Sequence, residues 1–411
     1  MRTQKMDQFM GRLAGPSVLP LAALMVPAWI VLVALLASCA QPITRPAPPE
    51  SVKTAPPVAP APEPVIVSKL EPEGAVNPNA VPVPPIRQAH IALIIPANNK
   101  DLVAAADAVK QGFTAGAQAE GANAIPFRVY PTDNETVSLA AQYRKATQEG
   151  AIAYVGAITR DGATTMAKQA GLLPTLALNA PAETELPDRF FYITLNVDAE
   201  ARQQALAAAQ QGFRRVAILT GNTPLAKRIQ EAFEREWVRL GGEVAARIVL
   251  SGDATNYTTT VQPAMERAHA EIAFFAADAG TARGARPYLP TGMPVFATSH
   301  SLDARAEPVV NVDLESVRFL EMPWFVEKDH PAVMAYAKPS STLPLDYERL
   351  YALGIDAWRL TQLLLRTERA RDIAPLDGVT GKLTLDGAQF VRTLTSVEMR
   401  DGMPFVFKPA D

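Results

Sequence analysis

Short apolar runs alternate with amphipathic segments from residue 90 onward. Residues 90–96 are almost entirely apolar, as in a buried strand, and residues 101–120 carry apolar side chains at helical spacing. The same alternation predicts helices at 137–149 and 161–170 and strands at 127–130, 151–155 and 175–178. This rhythm is typical of a parallel sheet built from βαβ units.

The pattern restarts after Asn196 and runs through a second set of elements. It predicts helices at 199–211, 224–240 and 261–268, and strands at 216–219, 243–250, 272–276 and 294–297. Two successive α/β halves of about 110 residues each indicate two lobes that face a cleft. We therefore predict an α/β fold with two lobes, each a mostly parallel sheet flanked by helices.

The last third of the chain breaks this rhythm. Residues 345–369 form one long helical pattern with a mostly apolar surface, which predicts a buried helix. Asp401-Gly402 is the type of dipeptide that turns a hairpin. It lies between the last two of three segments in which apolar and polar residues alternate, at 382–385, 391–399 and 404–407. These segments predict an antiparallel element near the C-terminus.

The first 38 residues have the pattern of an export signal. Three basic residues precede an apolar stretch at 18–37, which ends in Leu36-Ala37-Ser38-Cys39. This ending is a lipobox, in which the cysteine is acylated, with palmitate among its lipid chains, and the chain is cut before it. An uncleaved anchor is the alternative, since about twenty apolar residues could span a bilayer. Two prolines interrupt the stretch and favour the cleaved signal.

Cys39 is the only cysteine of the chain. The lipobox predicts lipidation at this residue, and no disulfide can form within the exported part. Ala40 follows it, where retention in the inner membrane of a Gram-negative cell usually calls for Asp. We therefore expect an outer-membrane lipoprotein that faces the periplasm.

A proline-rich segment follows the lipobox. Fourteen of the 36 prolines lie between Pro42 and Pro85. Proline at this density prevents helix and sheet and favours extended polyproline II structure. Residues 39–88 are therefore predicted to be an extended or disordered linker, and a ligand for a proline-recognition domain is the alternative.

These boundaries predict three regions. The signal peptide covers 1–38, the linker 39–88 and a periplasmic-binding-protein-like domain 89–411. Within that domain we expect lobe 1 at about 89–196 with part of 325–380, and lobe 2 at about 197–324 with the C-terminal strands.

Charge and motifs exclude several functional classes. Removing the signal leaves 36 basic and 41 acidic side chains, a formal charge of −5, which does not fit a nucleic-acid-binding protein. The four histidines, His90, His269, His300 and His330, lack the paired spacing of a zinc site. The sequence contains no nucleophile elbow, P-loop or β-lactamase-type motif. We predict no enzymatic activity, no cofactor and no metal.

Polar turns follow most of the predicted strands. Ligands of open parallel sheets bind at this carboxyl edge, where helix N-termini offer unpaired N–H groups. Helix capping is the alternative for each residue, because Asn, Asp, Ser and Thr are preferred where helices begin. The candidate ligand-cleft residues are Asn98, Asn99, Thr159, Asn179, Asn222, Thr223, Asp278, Ser299 and His300.

Two lobes of this form resemble the type 1 periplasmic-binding-protein fold, as in branched-chain amino-acid receptors. Four stretches narrow the resemblance to the LppC/LpoA family of outer-membrane lipoproteins, which activate class A penicillin-binding proteins. These stretches are Pro-Val-Phe-Ala-Thr-Ser-His at 294–300, Phe-Leu-Glu-Met-Pro-Trp at 319–324, residues 350–360, and Gly-Val-Thr-Gly-Lys-Leu at 378–383.

The resemblance implies a non-enzymatic regulator of peptidoglycan synthesis, and so of cell shape, that docks onto a class A penicillin-binding protein. The best-known members carry an additional N-terminal helical-repeat domain, whose place is taken here by the proline-rich segment. Trp324, Tyr351, Asp356 and Trp358 match family positions and are interpreted as core residues. The competing hypothesis is a membrane-tethered receptor that closes on a small polar ligand such as an amino acid.

Overall fold

The structure is a computed structural model that describes residues 88–251 and 254–407. These residues belong to one compact unit of the chain, Val81–Asp411. The predicted signal peptide, Cys39 and nearly all of the predicted linker lie outside the described residues.

Fifteen strands form within the described residues. They are β1 His90–Ile95, β2 Phe127–Pro131, β3 Ala151–Gly156, β4 Thr175–Ala177, β5 Phe190–Ile193, β6 Arg215–Gly221, β7 Glu243–Leu250, β8 Ile272–Ala276, β9 Val295–Ala297, β10 Val317–Glu321, β11 Leu376–Asp377, β12 Lys382–Asp386, β13 Gln389–Thr393, β14 Thr395–Arg400 and β15 Met403–Val406.

The same part of the chain forms eleven α-helices, joined by short 3₁₀ turns. None of these helices combines the length and the apolar character that crossing a bilayer requires. They are α1 Val103–Glu120, α2 Leu139–Gln148, α3 Arg160–Gln169, α4 Val197–Gln210, α5 Pro224–Arg239, α6 Tyr257–Ala268, α7 Ala279–Ala285, α8 Pro308–Asn311, α9 Pro323–Val326, α10 Pro331–Met334 and α11 Leu345–Arg366.

Lobe 1 is built on an eight-stranded sheet of order β11-β12-β13-β5-β4-β3-β1-β2. In this order the strands from β13 to β2 are parallel to one another, whereas β12 pairs antiparallel with β13 and β11 pairs antiparallel with β12. Ile91 and Leu93 pack against Trp358 of α11 on one face, whereas Ala92 and Ile94 pack toward α2 and α3 on the other. A strand buried on both faces explains the continuous apolar run at 90–96.

Lobe 2 is built on a seven-stranded sheet of order β15-β14-β10-β9-β8-β6-β7, parallel except for β14 and β15. Val216 and Ile218 of β6 pack against Trp237 of α5, and the alternate residues face α6. The predicted hairpin turn is confirmed, because Asp401 and Gly402 both have positive φ, 51° and 72°. The predicted two-lobed α/β fold is confirmed as well.

The C-terminal strands are shared between the lobes. Residues 391–399, predicted as one strand, belong to two: β13 ends at Thr393 in the sheet of lobe 1, and β14 begins at Thr395 in the sheet of lobe 2. The buried face changes from even positions, Phe390 and Arg392, to odd positions, Val397 and Met399, and the charge of Arg392 obscures this change of phase in the sequence. Only β14 and β15 join lobe 2, whereas β11 to β13 extend lobe 1.

Candidate functional site

A cavity of about 410 Å³ lies between the two lobes. It contains two of the nine sequence-predicted cleft residues, Ser299 and His300. The side chains that line it come from both lobes and mix apolar and charged groups: Leu195, Val197, Glu200, Leu225, Arg228, Ser299, His300, Met322, Asp346, Arg349 and Leu350.

Ser299 is hydrogen-bonded to the buried carboxylate of Glu200 and not to an imidazole. Its backbone N–H and its hydroxyl both donate to Oε2 of Glu200, at 3.1 and 2.7 Å. Burial raises the pKa of Glu200, although the neighbouring Arg392 guanidinium acts in the opposite direction. The hydroxyl is thus committed to positioning Glu200, which does not favour a nucleophilic role.

Arg349 crosses from lobe 1 to lobe 2 at the base of this cavity. It lies in the first turn of α11, and its Nη2 donates to Oε2 of Glu321 at the end of β10, at 2.7 Å. The same nitrogen lies 3.5 Å from the carbonyl oxygen of Ser299, and Nη1 lies 3.3 Å from Asp346. Because Glu321 is 1% exposed, this pair is shielded from water.

A second arginine reaches the same region from β13. Arg392 is buried and donates to the carbonyl oxygens of Thr194 and Thr380, at 2.8 and 3.1 Å, while its Nη2 lies 3.9 Å from Glu200. Burial lowers the pKa of Arg392, with Glu200 acting in the opposite direction. The charged groups beneath the cavity are therefore held by one another and by backbone carbonyls.

His300 contributes an imidazole to the cavity wall. Burial lowers the pKa of its imidazole, and this effect exceeds the opposite influence of Asp278 and Asp346. Burial therefore favours the neutral form of the ring. Asp278 itself caps α7, because it accepts from the backbone N–H and the hydroxyl of Thr281 at 3.0 and 2.7 Å.

The predicted cleft residues that follow the strands of lobe 1, apart from the exposed Asn98, form hydrogen bonds within their own or neighbouring turns. Asn99 accepts from the N–H groups of residues 101 and 102, and Asn98 is exposed. Thr159 caps α3 through Gly162. The side-chain amide of Asn179 donates to the carbonyl oxygen of residue 158.

The turn after β6 is similar. Thr223 caps α5 by accepting from the N–H of Ala226 at 3.0 Å, and Asn222 is exposed. Asn98, Asn99, Thr159, Asn179, Asn222, Thr223 and Asp278 do not line the interlobe cavity. The structure therefore brings together only the Ser299–His300 turn and charged residues that the sequence interpretation did not select.

Those missed residues are Glu200, Glu321, Arg349 and Arg392. Two of them directly follow apolar pairs on strands, at Phe319-Leu320-Glu321 and Phe390-Val391-Arg392. A charge on a buried strand indicates a partner, since an isolated buried charge is too costly to retain. That signal was available in the sequence. The described residues contain no group of three or more His, Cys, Asp or Glu side chains suited to hold a metal ion.

A larger groove, of about 730 Å³, lies at the edge of lobe 2. Its walls are the 304–308 loop, α9 and the β14–β15 hairpin, with Lys338 and Glu348 on the lobe 1 side. Trp324 donates through Nε1 to Glu348 at 2.9 Å, and the Lys338 ammonium lies 3.5 Å from the centre of its ring. Two exposed apolar side chains of β15, Met403 and Phe405, line this groove. Further exposed apolar side chains follow its lining residues Phe405 and Pro308 in the chain: Val406, Val309, Val310 and Val312.

The stretches that suggested a family meet next to these two features. Asp356 of α11 accepts hydrogen bonds from the N–H groups of Val379 and Thr380, and the Val379 carbonyl accepts from the Trp324 N–H at 3.0 Å. Tyr351 lies against Trp324, with ring centres 5.6 Å apart. These residues join α11, α9 and the 378–381 loop at the boundary between the lobes.

The family model described as "LppC putative lipoprotein" matches residues 85–402. The chain belongs to the LppC family. The penicillin-binding protein activator LpoA of Pantoea ananatis is 27% identical to this LppC-family chain over 328 residues, which cover 69% of the chain and 48% of the relative. LpoA of Escherichia coli K12 is 22% identical over 299 residues, covering 62% and 44%. The chain thus spans about half the length of the curated relatives it matches.

Solved structures share the fold of this LppC-family chain. A "putative branched-chain amino acid ABC transporter" from Chromobacterium violaceum is 30% identical, with a TM-score of 0.66 over 76% of this chain and 100% of that one. The C-domain of Haemophilus influenzae LpoA, described as a regulator of PBP1A, is 22% identical, with a TM-score of 0.64 over 78% and 100%. The suggested family is confirmed.

Proposed function

We propose that this chain is a lipid-anchored periplasmic protein of the outer membrane that activates a class A penicillin-binding protein by direct contact, without catalysing a reaction itself. Membership of the LppC family supports this proposal, as do relatives named penicillin-binding protein activator LpoA. The predicted lipobox at Cys39 and the proline-rich segment after it would supply the anchor and the reach.

The pairing of the charged side chains in the interlobe cavity favours a protein partner over a small charged solute. A receptor for an amino acid needs charged groups that wait for the ammonium and carboxylate of its ligand. Here Glu200 and Arg349 are held within the network described above, Asp346 is exposed but contacts Arg349 at 3.3 Å, and Arg228 pairs with Asp198 at 2.8 Å. Among the described residues, each Asp, Glu or Arg side chain of the cavity wall thus already has an oppositely charged partner.

The groove beside Trp324 offers a surface suited to a protein. Contiguous exposed apolar side chains around a concave surface are typical of protein–protein contacts. Phe405 and Met403 are 42% and 45% exposed on β15, the edge strand of its sheet. Pro404 lies between them. At this position the backbone nitrogen points away from β14, toward the free edge of the sheet, where proline has no N–H to donate to an added strand. Contact through side chains is therefore favoured over addition of a strand.

The solute-receptor alternative draws on fold likeness. One fold neighbour is a substrate-binding protein of Desulfitobacterium hafniense in complex with Leu, 18% identical, with a TM-score of 0.52. Likeness at this identity concerns the fold and carries no ligand with it.

A binding experiment tests the proposal directly. The full chain is titrated against the class A penicillin-binding proteins of its own cell, together with Phe405→Glu and a matched control, Val249→Glu. Val249 is 71% exposed on β7, the opposite edge of the same sheet. We expect the wild-type chain and Val249→Glu to bind equally. Phe405→Glu should bind about tenfold more weakly or worse, as for a buried apolar anchor.

One outcome would refute the activator function, and another would refute only the proposed contact surface. If none of these synthases binds the wild-type chain, the activator function is refuted. If they bind and Phe405→Glu and Val249→Glu behave alike, the activator function stands and the contact surface lies elsewhere.

A further inference from the structure

The chain crosses between the two lobes three times within the described residues. The first crossing joins β5 to α4, the second leads from β10 to α11, and the third is Leu394 between β13 and β14. Three hinge segments of this kind would let the lobes rotate relative to each other, as in receptors that close on a ligand. Polar contacts tie each crossing to its surroundings.

The second crossing is bridged by a buried ion pair. Arg349 belongs to lobe 1, and Glu321 is the last residue of β10 in lobe 2. Their 2.7 Å contact brings together side chains that are 14% and 1% exposed. Glu321 also accepts from the N–H of Met322 at 2.9 Å, so the carboxylate is fixed from both sides.

Arg392 and Gln203 together form hydrogen bonds at the first and third crossings. Arg392 of lobe 1 holds the Thr194 carbonyl at the first crossing and faces Glu200 of lobe 2. Gln203 of α4 donates to the Arg392 carbonyl at 2.6 Å and accepts from the N–H of Leu394 at 3.2 Å. Helix α4 is therefore hydrogen-bonded both to the end of β13 and to Leu394 at the third crossing.

A third ion pair spans the boundary nearer the surface. Arg305, on a loop of lobe 2, donates to Glu348 at 2.8 Å and to the carbonyl of Leu343 at 2.7 Å. Glu348 and Arg349 are adjacent near the start of α11. The carboxylate of Glu348 contacts the 303–308 loop of lobe 2, whereas the guanidinium of Arg349 contacts the end of β10.

From these contacts we infer that the boundary is a latch, which holds the two lobes at one relative angle in the absence of any ligand. Rotating the lobes apart would take Arg349 from the buried carboxylate of Glu321, and Arg392 from Glu200. Breaking a buried ion pair is strongly unfavourable even where each group keeps a hydrogen bond within its own lobe. The latch thus takes the role that a bound ligand has in a receptor of this fold. This inference does not depend on the proposed function, because it concerns the lobe boundary alone.

Hydrogen–deuterium exchange of the full chain tests the latch. Arg349→Met removes the buried pair, and Arg318→Met is the matched control, since Arg318 pairs with Glu398 at 3.1 Å within lobe 2. We expect Arg349→Met to raise exchange by about tenfold or more at all three crossings, including the Leu394 amide that Arg349 does not touch. The control should leave exchange at the first crossing and at Leu394 as in the wild type. Arg349→Lys, which can still pair with Glu321, should restore part of the protection.

Exchange at the Leu394 crossing that is unchanged in Arg349→Met would overturn the latch, because the crossings would then be independent. If Arg349→Met instead raises exchange throughout the strands of lobe 1, the variant has lost its fold. In that case Arg305→Met, which removes the ion pair nearer the surface, tests the latch. That variant should speed exchange at 303–308 and 343–349 and enlarge the radius of gyration in X-ray scattering. An unchanged radius together with unchanged exchange would refute the inference.

Discussion

Replacing Asp356 by Asn tests whether the family positions serve the boundary between α11 and the 378–381 loop. The carboxylate is fully buried and accepts from the N–H of Val379 at 3.0 Å. It also accepts from the N–H and the hydroxyl of Thr380, at 2.8 and 2.7 Å. Asparagine has the same shape but only one oxygen. Its amide nitrogen must therefore face at least one donor that the carboxylate now satisfies.

The size of the effect follows from these contacts. A buried N–H without an acceptor costs about 1–3 kcal/mol, and each bond that changes from charge-assisted to neutral loses about 1 kcal/mol. Burial raises the pKa of Asp356, so removing the charge recovers part of this loss. We expect a net decrease of about 2–4 kcal/mol in the free energy of unfolding. For roughly 320 residues at about 2.1 cal/mol/K each, Tm should fall by about 3–6 °C.

Thermal unfolding of the full chain, followed by circular dichroism, measures this change. Asp107→Asn is the control, because it also removes a helical carboxylate, but one that is 47% exposed and paired with Lys110 at the surface. Such a pair contributes about 1 kcal/mol or less. If Asp356→Asn is as stable as the control, the three hydrogen bonds do not hold the loop and the interpretation of this position is wrong.

Three further predictions follow from other parts of the chain. Gly112→Ala should destabilise the protein by about 1–3 kcal/mol or more in denaturant titration, because a Cβ there would lie 1.8 Å from the Tyr351 carbonyl oxygen; a stabilised variant would show that α1 and α11 separate freely. Amino acids at millimolar concentration should leave Tm unchanged, since a ligand bound only by the native state raises it; a dose-dependent rise would favour the solute receptor. Cys39→Ser should leave an uncleaved precursor without an acyl label on gels, and continued processing would contradict the lipobox.

Much of the fold could be predicted from hydrophobic periodicity. Strands such as β1 and β6 are buried on both faces, so they appear as continuous apolar runs, and the helices between them show a clear helical period. The split between β13 and β14 could not be found in this way. The buried face does change from even to odd positions between them, but Arg392 occupies one of the buried positions of β13, so the apolar residues alone do not reveal the change.

The candidate site was predictable only in part. Ser299 and His300 were selected because they follow a strand, and they do line the cavity. The same rule selected residues such as Thr159 and Thr223, which cap helices, because caps and ligand sites use the same residue types at the same edge. The pairing of Arg392 with Glu200 joins segments far apart in the chain, and only the tertiary fold brings them together.

The rate of glycan polymerisation by a class A penicillin-binding protein, measured with and without the full chain, tests the central claim most directly. The account predicts that saturating amounts of the chain raise the rate of at least one such synthase from the same cell. The chain alone should polymerise nothing. Rates that stay the same for every class A synthase of that cell would contradict the account.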